Sequence, residues 1–204
     1  MKPIEAAPGA FLYPGRLPPD RQQAILAAVR AVLSEAPLFA PKMPRTGKPF
    51  SVRMTNCGPI GWVSDAAGYR YQPLHPDTGR PWPAIPEAIA AVWRELLPDA
   101  PAPEACLINY YGSGAKMGLH QDRDERAFDV PVLSISLGDE ARFRLGGEAR
   151  NAPTRAFRLN SGDVFTFGGP SRLAFHGIDR VLAGTSALLP EGGRFNLTLR
   201  RVNP

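Results

Sequence analysis

The sequence predicts a mainly β fold with flanking helices (α+β): a double-stranded β-helix, or jelly roll, with an N-terminal helical and hairpin lid extension. Three observations lead there. From about residue 104, short runs of β-branched and aromatic residues alternate with Gly, Asp and Pro turns, eight times before the chain ends. Two stretches with helical apolar spacing precede them. A chain of 204 residues with 44% hydrophobic content is long enough to fill one core.

Residues 19–36 read as a helix: Asp20 sits near its start, Ile25, Ala28, Val29, Val32 and Leu33 recur at helical spacing, and Pro37 ends it. Phe50 to Thr55 alternates as a strand should. Gly61 to Tyr71 reads as a hairpin or lid bearing Trp62, Tyr69 and Tyr71. Pro86 opens a second helix with Ile89, Val92, Trp93, Leu96 and Leu97 on its apolar side, and Pro98 closes it. The eight strands are expected at 105–111, 116–122, 130–137, 141–146, 154–159, 163–168, 173–180 and 193–202. On this reading 1–204 is a single domain, with 1–103 as the extension and 104–204 as the double-stranded β-helix core. The helices should buttress one sheet, and segment 38–80 should cover the open mouth.

No apolar run approaches the roughly 18 to 20 residues of a membrane span, and the first residues lack the apolar core of a signal peptide. The expectation is a cytoplasmic monomer without membrane contact. Cys57 and Cys106 could form one disulfide, but a reducing compartment favours two free packing residues in semi-buried strands. Net charge is +5 and the pI about 9.6, a basic balance compatible with polyanions.

The chemistry concentrates in His120-Gln121-Asp122, with His176 following 56 positions later (176 − 120). In a strand, residues i and i+2 share a face, so His120 and Asp122 can grip one metal while Gln121 points away. Two imidazoles and a carboxylate on one face are what a non-haem iron(II) needs if other positions are to stay open. His75-Pro76-Asp77 fits the same pattern, but its proline and the turn residues around it argue against a flat strand. Near the end of the chain, Arg194, Asn196, Thr198 and Arg200 fall on one face of a strand and Phe195, Leu197 and Leu199 on the other. Two inward arginines need anions, and a dicarboxylate such as 2-oxoglutarate suits guanidinium forks. An exposed edge strand with its arginines in water is the alternative. Asn109 and Tyr111 could add an amide and a phenol to the same pocket.

Several further motifs run in order along the chain. They are Met54-Thr55-Asn56-Cys57-Gly58, Gly61-Trp62, Gly68-Tyr69-x-Tyr71, Cys106-Leu107-Ile108-Asn109-x-Tyr111 and Leu119-His120-Gln121-Asp122-x-Asp124-Glu125. Gly162-Asp163-Val164, Ser171-Arg172-Leu173-x-x-His176-Gly177 and Arg194-x-Asn196-Leu197-Thr198-x-Arg200 follow. From about residue 50 to 202 the chain resembles the AlkB dioxygenases, whereas its first 45 residues carry no comparable signature. The resemblance implies oxidative demethylation of N-methylated bases such as 1-methyladenine and 3-methylcytosine, in single- or double-stranded DNA and also RNA. Iron(II), 2-oxoglutarate and O2 would be consumed or used, with formaldehyde, succinate and CO2 released. It implies iron ligation by His120, Asp122 and His176, and 2-oxoglutarate binding by Asn109, Tyr111, Arg194, Asn196 and Arg200. It also implies a nucleotide-recognition lid, with Trp62, Tyr69, Asp124, Arg150 and Met54 touching substrate. Phe167 and Tyr110 stand where the bacterial member has tryptophan and arginine, which bears on fine substrate preference. Two rivals remain: a 2-oxoglutarate oxygenase of protein or small molecules, and a non-catalytic nucleic-acid-binding jelly roll.

Overall fold

The computed structural model describes residues 2–204. Its thirteen strands are β1 (Ile4–Ala7), β2 (Ala10–Tyr13), β3 (Arg53–Cys57), β4 (Gly61–Asp65), β5 (Gly68–Gln72), β6 (Ala105–Tyr111), β7 (Met117–His120), β8 (Val132–Gly138), β9 (Glu140–Leu145), β10 (Arg155–Leu159), β11 (Val164–Phe167), β12 (His176–Leu182) and β13 (Arg194–Arg200). Helices α1 (Pro19–Glu35) and α2 (Glu87–Leu96) complete the fold. A seven-stranded sheet runs β1-β2-β11-β8-β13-β6-β3, a four-stranded sheet β10-β9-β12-β7, and β4-β5 is a separate hairpin. All eight predicted core strands are present, with ends moved by a few residues.

The two faces of the large sheet explain the helices. Leu133, Ile135, Leu137, Leu197 and Leu199 point outward and pack with Ile25, Leu26 and Val29 of α1 and Ile89, Val92 and Trp93 of α2. The opposite face turns toward the small sheet, where Phe143, Phe165, Phe167 and Ile178 fill the space between the layers. No helix among the described residues is long and apolar enough to cross a membrane.

Four expectations need correction. The first 45 residues, where the sequence predicts only a helix and carries no family signature, also supply β1 and β2, and β2 pairs with β11 from Val164↔Tyr13 to Phe167↔Ala10. Gly9 makes their turn possible: it has φ +78°, and a Cβ there would lie 2.4 Å from the Gly168 carbonyl oxygen. The strand before the lid is Arg53–Cys57 rather than 50–55. Cys57 and Cys106 are free and fully buried rather than semi-buried, and they face each other in register across β3 and β6. The strand expected at 116–122 stops at His120, so Asp122 belongs to the following loop.

Candidate active site

The candidate metal cluster is built at the junction of β7 and β12. Antiparallel register sets His176 directly opposite His120, and their ring centroids are 4.4 Å apart. Gly177 lets the two strands close, since a Cβ there would lie 2.6 Å from the Met117 carbonyl oxygen. Asp122 returns from the loop to the same spot. One carboxylate oxygen, Oδ1, is 3.7 Å from His120 Nε2 and 3.9 Å from His176 Nε2. A ligand atom from each of the three residues lies within 4.8 Å of the others. Gln121 engages its amide elsewhere, donating to the Leu173 carbonyl at 2.6 Å.

The surroundings fix which atoms are free. Nδ1 of His120 is 2.9 Å from the Gly118 carbonyl, and Nδ1 of His176 is 2.9 Å from that of Ala174. A carbonyl can only accept, so both Nδ1 atoms carry the proton and both Nε2 lone pairs face Asp122. Burial, then the neighbouring His120, pulls the His176 pKa down to about 4, keeping it neutral and able to coordinate. Asp122 is also held in its ligating form. Burial alone would push its pKa up, but Arg200 with the two histidines holds it well below the usual carboxylate range. Arg200 donates to Oδ2 from Nε at 3.0 Å and Nη2 at 2.8 Å, which leaves Oδ1 for a metal.

This pairing revises the argument for Arg200. The chain itself neutralises that guanidinium through Asp122 and through Glu125 at 3.4 Å, so no bound anion is needed there. Arg194 is the opposite case. It is fully buried, makes no ion pair among the described residues, and holds only Ser136 Oγ at 2.7 Å and the Leu159 and Asp139 carbonyls at 3.3 and 3.4 Å. Its Nε has no partner, and burial lowers its pKa to about 10. Both residues lie on β13, which is paired to β8 and β6 on its two sides, so the edge-strand alternative falls.

A cavity of about 390 Å³ opens above the cluster, lined in its depth by Asn109, Tyr111, Ser134, Asn196 and Arg200. Asn196 stands in register with Asn109, which stands in register with Met54, so one row of the sheet crosses the cavity floor. Asn109 Oδ1 is buried without a partner. Met54, buried in that row, lines the cavity, and the more exposed Trp62, Tyr69, Asp124 and Arg150 line it as well. Trp62 and Tyr69 of the hairpin lie nearly parallel, 5.7 Å between centroids, and Tyr69 is half exposed. The Trp62 indole donates to Asp124 Oδ2 at 2.8 Å. Arg150 lies over the Phe175 ring, 5.6 Å from its centroid. His75 is nowhere near. It is buried between Phe39 and Trp82, with both ring nitrogens engaged by backbone.

Tyr71, Glu125 and Arg172 lie within the sequence motifs but carry no role predicted from them. In the structure they form a buried tie. Tyr71 of the hairpin donates a hydrogen bond to Glu125, Arg172 pairs with Glu125 at 3.2 Å, and Arg172 also donates to the Asp122 carbonyl at 2.7 Å. The signal available in sequence was an acid and an arginine beside predicted site residues, with no indication that they meet.

Comparison with known proteins agrees with this geometry. The family model described as the 2OG-Fe(II) oxygenase superfamily matches residues 9–200. An alpha-ketoglutarate-dependent dioxygenase AlkB homolog of Caulobacter vibrioides is 54% identical over 201 residues, covering 98% of this chain and 91% of that protein. The chain belongs to the AlkB family. The AlkB dioxygenase of Escherichia coli K12 is 41% identical over 187 residues, 87% of this chain and 83% of that one. The solved structure of OsALKBH1 superposes with a TM-score of 0.86 at 30% identity, covering 98% of this chain and all of that one.

An AlkB-family enzyme is an iron(II)- and 2-oxoglutarate-dependent dioxygenase, and the residues present fit both groups. Two bare imidazole nitrogens and one free carboxylate oxygen make the donor set for iron(II). Asn109, Tyr111, Asn196 and Arg200 line the cavity, and Arg194, a buried guanidinium with an unpartnered Nε that is not itself among the lining residues, suits a carboxylate of 2-oxoglutarate.

Proposed function

We propose that this protein repairs alkylated nucleic acid by oxidative demethylation of N-methylated bases such as 1-methyladenine and 3-methylcytosine. The observation carrying this reading is the mouth of the cavity. A nearly parallel Trp62–Tyr69 pair, with Asp124 bound to the indole, sits over the His120, Asp122 and His176 cluster.

When bound, iron(II) and 2-oxoglutarate supply the oxidation of a substrate C–H bond by O2, with succinate and CO2 as co-products and the methyl carbon leaving as formaldehyde. His120, Asp122 and His176 would hold the metal. Arg194, with Asn109, Tyr111 and Asn196, would hold the co-substrate, and Arg200 keeps Asp122 ionised and oriented. A base inside a duplex cannot bring its methyl group to so deep a site, so it is flipped or taken from a single strand. Trp62 and Tyr69 offer the stacking surface, and Met54 and Arg150 the flanks. Asp124 places negative charge where these cationic bases would enter. We read residues 1–204 as one domain, 1–103 giving the lid and helices and 104–204 the catalytic double-stranded β-helix. The larger sheet nonetheless borrows β1, β2 and β3 from the first part. The site is assembled within one chain, which suits a monomer, and a cytoplasmic one meets DNA and RNA directly.

The test is mass spectrometry of DNA and RNA oligonucleotides carrying single methylated bases, incubated with iron(II), 2-oxoglutarate and air. Unmodified base with one succinate per methyl lost is the expected result. Succinate release stimulated by a protein or small molecule, with methylated oligonucleotides untouched, would overturn the substrate class.

A further inference from the structure

The outer face of the small sheet carries a charge pattern that the catalytic site does not use. Ala141, Phe143 and Leu145 of β9 point into the core, so Arg142 and Arg144 point to solvent. Arg142 stands in register with Arg158 of β10 on one side and with Arg180 of β12 on the other. Three arginines therefore lie side by side across three adjacent strands. Like charges directly opposite one another in a sheet are destabilising. Among the described residues, the acids within 4 Å of these arginines are Asp179, 3.7 Å from both Arg142 and Arg144, and Glu140, 3.5 Å from Arg158. Arg158 remains 77% exposed in its side chain.

We propose that this arginine row is a second nucleic-acid contact, holding the phosphate backbone of the strand whose base is being repaired. The inference rests on the reading of the site as a nucleic-acid demethylase. Strands about 4.8 Å apart make the row roughly 10 Å long, the axial span of about three phosphates on one stacked strand. The same face leads from the row toward the cavity, whose lining includes Gly177 and Arg150 but none of the three row arginines. Arg144, on the same face, is in register with Gly177, next to the metal-ligating His176, and Arg150 lies in the loop that follows β9. Guanidinium suits this partner because it can fork onto two phosphate oxygens, and each neutralised phosphate relieves the repulsion between neighbours. Nothing in such a contact reads a base, so it adds affinity and length dependence without sequence preference.

The experiment compares the full chain with the triple variant Arg142→Ser, Arg158→Ser, Arg180→Ser and with the triple lysine variant at the same positions. Binding to an undamaged fluorescent single-stranded 20-mer is followed by anisotropy between 50 and 200 mM salt. Three phosphate contacts at about 0.7 each give the wild type a salt slope steeper by roughly 2, so it should lose about 16-fold more affinity over that range than the serine variant. The lysine variant should keep most of the slope. Demethylation of a methylated trinucleotide, too short to reach the row, should be equal in all three proteins, while KM for the 20-mer rises in the serine variant alone. Equal salt slopes for wild type and serine variant would overturn the proposal, as would binding of the row to anionic phospholipid vesicles but not to the 20-mer. Undamaged-strand binding needs no turnover. If the wild type demethylated neither the trinucleotide nor the 20-mer, the demethylase reading would fall while the slopes still scored the row.

Discussion

His75 and His120 differ in what their ring nitrogens leave free. His120 engages only Nδ1 and leaves Nε2 facing Asp122, whereas His75 gives Nε2 to the Pro37 carbonyl at 2.8 Å and Nδ1 to the amides of Asp77 and Thr78. We therefore expect His120→Ala, Asp122→Ala and His176→Ala each to lose iron and succinate release. His75→Ala should keep both and lose roughly 1–3 kcal/mol of stability, because buried backbone groups lose their partner. A thermal melt beside an iron assay checks it, and an active His120→Ala with a dead His75→Ala would reverse the assignment. Arg194→Lys keeps the charge but not the fork, so 2-oxoglutarate should bind about 10- to 100-fold more weakly, the loss of a charged hydrogen bond or two. Unchanged affinity in a titration would remove Arg194 from the co-substrate site. These residues were legible in sequence because metal and dicarboxylate chemistry demands particular side chains. The partner of Arg200 was not. Asp122 is 78 positions away, and only the fold brings the two together.

Regular strands declared themselves through alternation, which is why all eight core strands could be placed before the structure. β1 and β2 could not. Each has four residues, and IEAA and AFLY alternate too briefly to stand out. Their strand state comes from pairing, β2 with β11 and β1 with β2, a tertiary effect. The hairpin β4–β5 was legible, but its anchorage was not. Tyr71 ties it to Glu125, and Glu125 in turn compensates Arg172 and Arg200. Glu125→Ala should leave two buried guanidinium groups short of charge, a loss of about 3–5 kcal/mol when a buried pair is broken. At this chain length that lowers Tm by roughly 6–20 °C. Trp62→Ala should behave differently. With its indole among the half-buried residues of the mouth, it should keep Tm and slow substrate-independent succinate formation. It should lose about five- to 150-fold in demethylation efficiency, a stack worth roughly 1–3 kcal/mol. Parallel loss of both activities with a lowered Tm would make Trp62 structural.

At the scale of the whole molecule, the site depends on both sheets, and the large sheet depends on its N-terminal border. β2 covers β11, whose four residues are all buried, and β1 covers β2. Phe165 and Phe167 of β11 carry this dependence inward. Phe165 packs on Phe143 at 5.0 Å between centroids, and Phe167 lies 4.8 Å from the ring of His176. Removing residues 1–14 would strip the cover from β11 and leave an apolar edge with unpaired amides and carbonyls, a template for pairing between chains. We expect the truncated protein to aggregate on size-exclusion chromatography. Its remaining monomer should melt earlier and bind iron more weakly, since His176 loses the packing that sets its ring. A truncated chain that stays monomeric, melts with the full-length protein and keeps its iron would show that β1 and β2 only decorate the sheet. The metal site would then draw its rigidity from the small sheet and the Arg200–Asp122 pair alone.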